Sequence, residues 1–443
     1  MRMKLRTGHR AGRIVKIGIA GATLATALVT LAAPSAPSAP AGAAVSTAPG
    51  VTKNSITVGT ISTQTGELAA NFGSLIYGEK AYFAYINAQG GVNGRKIDYK
   101  YALDDGGNPS QFNQLVSTLV NQDHVFAITG VASAFFTPNL FVEAKIPTYG
   151  YNVSNNWAGP NNLFAAGGGG STQYLPGGIP EVAYLVNKTH SKSVAVLAYG
   201  IAASASSCQE DAKGLTAAGI KVVYTDYKIS YPGTTVATDV QRMKQAGADF
   251  VLSCMDVQGN VTMARAINQY GLKATQFWLS GNDQSTLDQN ESLMQNVYFY
   301  IAHVPFLAPQ ADYPGLKLYL SVMKKYEPKY VTDEVAIQGW ESAALFVQGV
   351  RMAGNNLTQA NVIKQTNTLT DFNAGGLTTP TNWKNAGHSG HAPPYCASYI
   401  QAKGTRYVPV LNTSKNGVFV CFASTSGKNP QPIKKLPPGT PNG

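Results

Sequence analysis

Residues Asn87–Asp105, NAQGGVNGRKIDYKYALDD, carry the reading that decides the fold. Upstream, Phe72, Ile76, Phe83 and Ile86 fall on one side of a helix at ~100° per residue, which marks an amphipathic segment packed on a core. Gly90 and Gly91 end it, because glycine accepts backbone conformations that a side chain resists. Asn93-Gly94 then makes a turn, and Ile97, Tyr99 and Tyr101 alternate as in a half-buried strand. The strand runs into the acidic pair Asp104-Asp105. Preceded by the β-branched run Ile56–Ile61, the unit is strand, helix, strand.

The same alternation continues along the chain. Strands are expected at Ile97–Ala102, Phe126–Thr129, Val194–Ala198, Val222–Asp226, Phe250–Ser253 and Val297–Ile301. Phe112, Leu115, Val116, Leu119 and Val120 keep helical spacing after the start signal Pro109-Ser110, and a second helix from Thr262 to Tyr270 stops at Gly271. Strands alternating with amphipathic helices imply parallel, doubly wound sheets with right-handed crossovers. The pattern restarts after a Gly/Pro/Asn-rich loop, Gly159 to Gly178, so the fold class is α/β with two similar lobes. Val304–Pro314 and Phe372–Asn382 are expected to be further crossings, giving a three-segment hinge. The predicted division is lobe 1 over 45–165 and 305–373, lobe 2 over 166–304 and 374–423, and a disordered Pro/Gly/Lys-rich tail over 424–443.

The chain has 443 residues, 44% of them hydrophobic and 13% charged, with a net charge of +11. Residues 1–44 hold six basic residues and no acidic ones, which leaves 28 basic against 23 acidic beyond them. The remaining cations are scattered, which excludes a nucleic-acid-binding face. Arg2 to Lys16, the apolar Ile17–Ala33 and the small-residue site Ala41-Gly42-Ala43 read as a signal peptide cleaved near residues 43–44, so an exported, extracellular or cell-envelope protein is expected. No cysteine precedes Cys208, so the lipid-anchor cysteine is missing. Export makes Cys208, Cys254, Cys396 and Cys421 disulfide candidates. Three connectivities are possible. Strand-end positions favour Cys208–Cys254 with Cys396–Cys421.

Chemistry-bearing motifs are sparse. Gly167 to Gly170 is followed by Ser171-Thr172-Gln173-Tyr174 rather than Lys and Ser/Thr, so it is expected to be a hinge or turn and not a phosphate cradle. His388 and His391 lack a third ligand, and no metal or cofactor is expected. Glu181 and Glu210 are taken as solvated helix faces. What recurs is polar and aromatic residues at the C-terminal ends of strands: Thr63 to Phe72, Gly130 to Thr137, Tyr151 to Ser154, Tyr199 to Ala203, Asp256 to Gln258, and Asn282-Asp283. Ligands bind outside those ends in open α/β sheets, so two facing lobes would bring them to one cleft.

In wording, the chain resembles the type I periplasmic binding proteins of branched-chain amino acid ABC importers, from about Ser55 to Ala423. The turn GGVNGRKI at 90–97, Asp104-Asp105, the helix Gln111–Asn121, GLTAAG at 214–219, ADFV at 248–251 and YGLK at 270–273 carry the likeness. The resemblance implies that Phe72 lids a side-chain pocket and that Ser133 or Ala134, next to Phe135, falls where a serine binds the ligand carboxylate. It implies a supporting role for Ser154 and places Asp283 at the acidic partner of the ligand ammonium. It puts Trp340 at a cleft aromatic and Asp256 where the family often has a tyrosine. The sequence departs from the pattern at Ala132–Thr137, which is bulkier and less polar, and at Tyr199-Gly200, which stand four positions early.

The expected protein is a non-enzymatic solute-binding protein, a monomer, that captures an amino acid or a larger apolar or aromatic ligand for an ABC permease. A ligand-sensing receptor on the same fold is the alternative. The Asn87–Asp105 turn is expected to lie away from the cleft.

Overall fold

The computed structural model describes residues 48–153, 155–166, 180–231, 235–384, 395–411, 417–423 and 428–441, all within the unit Thr47–Gly443. The expected signal peptide, the glycine run Gly167 to Gly170, Ser154, His388 and His391 lie outside the described residues. The chain opens with β1 (Ser55–Ser62), α1 (Ala69–Phe72), α2 (Leu75–Ala88) and β2 (Lys96–Asp104). Between α2 and β2 the backbone takes positive φ at Gly90, Gly91, Asn93 and Gly94, as the sequence requires of a tight reversal. The Asn87 side chain locks the reversal by bonding both backbone groups of Ile97, each at 2.8 Å. Phe72 is not on α2: Gly73 and Ser74 separate it into α1 and free it from the core face.

α3 (Pro109–Asn121), β3 (Ala127–Ala132), α4 (Asn139–Ala144), β4 (Thr148–Tyr151) and β5 (Leu163–Ala166) complete a parallel sheet of order β2-β1-β3-β4-β5. Asn108 caps α3 by accepting from Ser110 and Gln111 N–H, ahead of Pro109 at the first helical turn. Strand β5 corrects the expected loop Gly159 to Gly178. Its run Leu163-Phe164-Ala165 is buried, and it was too short to stand out among flanking Gly, Pro and Asn.

The second sheet is built from α5 (Pro180–Lys188), β6 (Ser193–Tyr199), α6 (Ala202–Ala217), β7 (Lys221–Ile229), α7 (Ala237–Gln245), β8 (Phe250–Cys254), α8 (Val257–Gln269), β9 (Thr275–Trp278), α9 (Gln284–Met294) and β10 (Tyr298–Ile301). Its parallel part runs β7-β6-β8-β9-β10. It is not wholly parallel, because β11 (Tyr395–Lys403), β12 (Arg406–Val410) and β13 (Phe419–Phe422) extend it as antiparallel strands. β11 and β12 are joined by a short hairpin with Gly404 at positive φ, a connection open only to antiparallel neighbours.

Between β10 and β11 the chain returns to the first lobe as α10 (Pro314–Tyr326), α11 (Glu334–Ala353) and α12 (Gln359–Thr366). The outgoing and returning segments run side by side: Val304 N–H donates to Leu377 O at 2.7 Å, and His303 bridges Thr378. They are two of the expected hinge strands. α11 is buried nearly all round and packs on α2, β4 and β5. The approach to α2 is permitted by glycine: a Cβ on Gly78 would lie 1.7 Å from Ala336 O, and one on Gly339 would lie 2.0 Å from Leu75 O.

Both disulfides sit in the second lobe, Cys208–Cys254 and Cys396–Cys421, the connectivity favoured by strand positions. Glu181, taken as solvated, is instead buried at the start of α5, and burial pushes its carboxyl up to about 8. Glu210 does lie at a helix surface, paired with Lys213. The C-terminal stretch, expected to be disordered, forms no helix or strand over 428–441 but is tied to the body. Ile433 N–H donates to Cys421 O, and Asn373 donates to Gly439 O. Among the described residues no helix is long and apolar enough to cross a membrane.

Candidate ligand-binding cleft

In each sheet the strand order reverses beside the first strand: β2 and β3 flank β1, and β7 and β8 flank β6. Crossovers leaving in opposite directions open a crevice at the C-terminal strand ends there. A cleft of about 470 Å³ occupies that place, within the range for small organic ligands. Leu68, Phe72, Ala134, Tyr151 and Val153 line it from the first sheet. Tyr199, Tyr231, Asp256, Leu279 and Asp283 line it from the second, and Asp333, Glu334 and Val335 close it from the start of α11.

The structure therefore brings together Phe72, Ala134, Tyr199, Asp256 and Asp283. Phe135, half-buried, packs beside Phe72 and Val153 without lining the space. Trp340 is a correction. It lies in the first-lobe core against Tyr82, Tyr85 and Tyr319, 1% exposed.

Ser133 is buried behind the wall, and its hydroxyl donates to Asp105 Oδ2. Asp105 also accepts from Thr63 Oγ1 at 2.6 Å and Gly107 N–H at 2.9 Å. Ser133 Oγ in turn accepts from Phe135 N–H at 3.1 Å. So the acidic pair, expected away from the cleft, backs its wall directly. The adjacent Asp104 secures the segment after β1 by accepting from Gln64 N–H at 2.8 Å.

On the other side, helix N-termini position the acids. Asp256 caps α8 through Gly259 N–H at 2.8 Å and accepts Tyr199 OH at 2.7 Å. Asp283 caps α9 through Thr286 N–H at 2.9 Å and also accepts the Thr286 hydroxyl. Asp333 caps α11 through Val335 and Ala336 N–H, and Ser74 Oγ reaches it across 2.8 Å. Glu334 Oε2 takes Gly281 N–H at 3.0 Å and Asn282 N–H at 3.1 Å, joining α11 to the strand end after β9. Burial raises the Glu334 carboxyl to about 7 against the pull of those two N–H groups. Tyr231 OH donates to Glu67 O, a second contact between lobes. Tyr199 and Tyr231 meet edge to face, 5.1 Å between centroids, with both hydroxyls held well above the ordinary tyrosine range by burial and Asp256.

Sequence reasoning missed Tyr231, Asp333 and Glu334. Asp333-Glu334 ahead of an apolar run was a legible helix start. Tyr231 follows a strand end in a loop with no signal of its own. Among the described residues one group has metal-ligand spacing, Cys208, Asp211 and Cys254, but both sulfurs are spent in the disulfide.

The sequence matches the periplasmic binding protein family over residues 55–405. The chain belongs to that family, whose members are solute-binding proteins. Among solved structures, a fatty acid ABC transporter substrate-binding protein from Thermomonospora curvata has TM-score 0.70 and 18% identity, covering 89% of this chain and 98% of that one. A branched-chain amino acid ABC transporter protein from Thermus thermophilus with bound valine has TM-score 0.66 and 16% identity, covering 82% and 97%. A solute-binding protein from R. palustris in complex with benzoate has TM-score 0.66 and 15% identity, covering 87% and 99%. At such identities they establish the shared fold. No curated protein matches the sequence.

Proposed function

We propose that this protein is an exported solute receptor that closes two lobes on one small organic ligand and delivers it to the permease of an ABC importer. The observation that carries the reading is the placement of a single cleft at the strand-order reversals of both sheets, with residues of both lobes in its wall. Phe72, Tyr151, Tyr199 and Tyr231 give it an aromatic lining suited to an apolar body. Ligand capture works by hinge closure over the segments near Val304 and Leu377, which expels water from the cleft. Asp283 and Asp256 are the assigned polar anchors, and the described lining residues include no histidine, lysine or free cysteine for catalysis.

A thermal-shift screen of the mature protein against amino acids, amines, aromatic acids, fatty acids and short peptides tests this. A true ligand at a hundred times its Kd adds about 2.7 kcal/mol of stability. Small-angle scattering should show contraction with that ligand. Silence across the whole screen, or turnover of the compound that binds, would sink the reading.

A further inference from the structure

We propose that the ligand of this cleft is an organic cation, an amine or quaternary ammonium on an apolar body, recognised without a carboxylate. The inference rests on the solute-binding reading above and names the chemical class that the same cleft takes.

The first observation is charge. Asp256, Asp283, Asp333 and Glu334 line the cleft, and no Lys, Arg or His stands among the described lining residues. A carboxylate or other anion would enter against four acids with no counter-charge, whereas a cation would find several partners in a partly enclosed site. The second observation is where the anion positions went. Helix N-termini attract carboxylates, and the starts of α8, α9 and α11 all meet the cleft. Each is already filled by a carboxylate of the chain itself: Asp256, Asp283 and Asp333. The third is that hydroxyls around the cleft are spent on the chain itself, which leaves Tyr151 and the amides of Asn71, Gln258 and Gln289 as neutral donors in the lining. Ser133, whose family counterpart would hold a ligand carboxylate, gives its proton to Asp105. Tyr199 donates to Asp256, Tyr231 to Glu67 O, Ser204 to Cys254 O and Ser280 to Met255 O. Hydroxyls that are spent on protein acceptors cannot anchor an anion.

Acceptors, by contrast, remain. Glu334 Oε1 and Asp333 Oδ2 accept from no described residue, while their sister oxygens are held. The aromatic faces of Phe72, Tyr151, Tyr199 and Tyr231 supply the electron-rich surfaces that attract ammonium groups.

The test is calorimetry on the mature protein with phenethylamine, phenethyl alcohol, phenylpropionate and phenylalanine, which share an apolar body and differ in charge. The amine should bind at least about tenfold tighter than the alcohol, a difference of ~1.4 kcal/mol, and phenylpropionate should not bind. Asp256→Asn and Glu334→Gln, each checked by its melt, should weaken the amine about tenfold and the alcohol far less. Ser133→Ala should leave the amine unchanged. An amine that fails to bind, or a carboxylate or zwitterion that binds more tightly, overturns the inference. Capture of either of the latter would leave the solute-binding reading standing. Silence across this set and the wider screen would remove both.

Discussion

Thr63 and Ser133 leave the first sheet at the same topological place where Tyr199 and Asp256 leave the second, yet the two walls of the cleft are built on opposite terms. At the strand ends of the first sheet a buried aspartate, Asp105, gathers the hydroxyls of Thr63 and Ser133 into the wall, and Leu68, Phe72, Ala134 and Val153 face the cleft, so that the first lobe's carboxylates there, Asp333 and Glu334, come from the start of α11 and not from the sheet. In the second, Asp256 and Asp283 cap helices at the rim itself, so carboxylate remains part of the lining. The difference teaches that a shared topology fixes where a site lies and not its polarity. Polarity follows from whether the acids sit one layer behind the wall or in it.

The lobes also differ in how they are held. Both disulfides are in the second, and the described part of the first relies on helix-to-sheet packing around α11. Removing Cys208–Cys254 as a double serine variant should cost about 4 kcal/mol, since the bond closes a long loop, and removing Cys396–Cys421 about 3 kcal/mol. Urea melts followed by Trp278 for the second lobe and Trp340 for the first would separate the effects. An equal loss at both tryptophans would show that the lobes unfold as one and would break the contrast.

A smaller effect sharpens it from the acid side. Glu341 is buried on α11 with neither oxygen accepting from a described residue, and burial alone raises its carboxyl to about 8; Glu79, near Thr60, is raised to about 7. Raised carboxyl values mean that the folded state holds protons that the unfolded chain has released. Stability from these groups is therefore complete below the unfolded value near 4.5 and is lost as pH climbs towards 7 and 8. The melting temperature should fall steadily as pH rises across that window. Glu341→Gln should flatten the slope in the first lobe and Glu181→Gln in the second. A flat profile in the unmodified protein would remove the buried-acid account of both.

The fold was legible because local rules agreed along the chain. The glycines of Asn87–Asp105, the start signal Pro109-Ser110 and the strand-helix alternation all pointed one way. The cleft was half legible. Strand-end segments are readable from topology, and Tyr199, Asp256 and Asp283 do line the cleft. Trp340 was misplaced because sequence likeness gives a helix but not its rotation: at ~100° per residue it stands about 240° around α11 from Glu334, facing the core. Ser133 looked like a ligand donor because its partner Asp105 is distant in sequence, and only packing shows that the hydroxyl is taken.

Tyr231 gives the finest probe of the contrast, because it belongs to the second lobe and its hydroxyl reaches the first. It donates to Glu67 O across the cleft mouth and lies 3.4 Å from Asp256 Oδ2, too long to be a strong bond. Tyr231→Phe keeps the ring against Tyr199 and removes only the contact between lobes. A neutral hydrogen bond at a solvent-exposed mouth contributes about 1 kcal/mol, so ligand release should quicken roughly fivefold while the association rate holds. Stopped-flow displacement of a bound ligand measures this. If the rate of release does not change, the hydroxyl is not a clasp, and closure depends on Glu334 and the strand end after β9 alone.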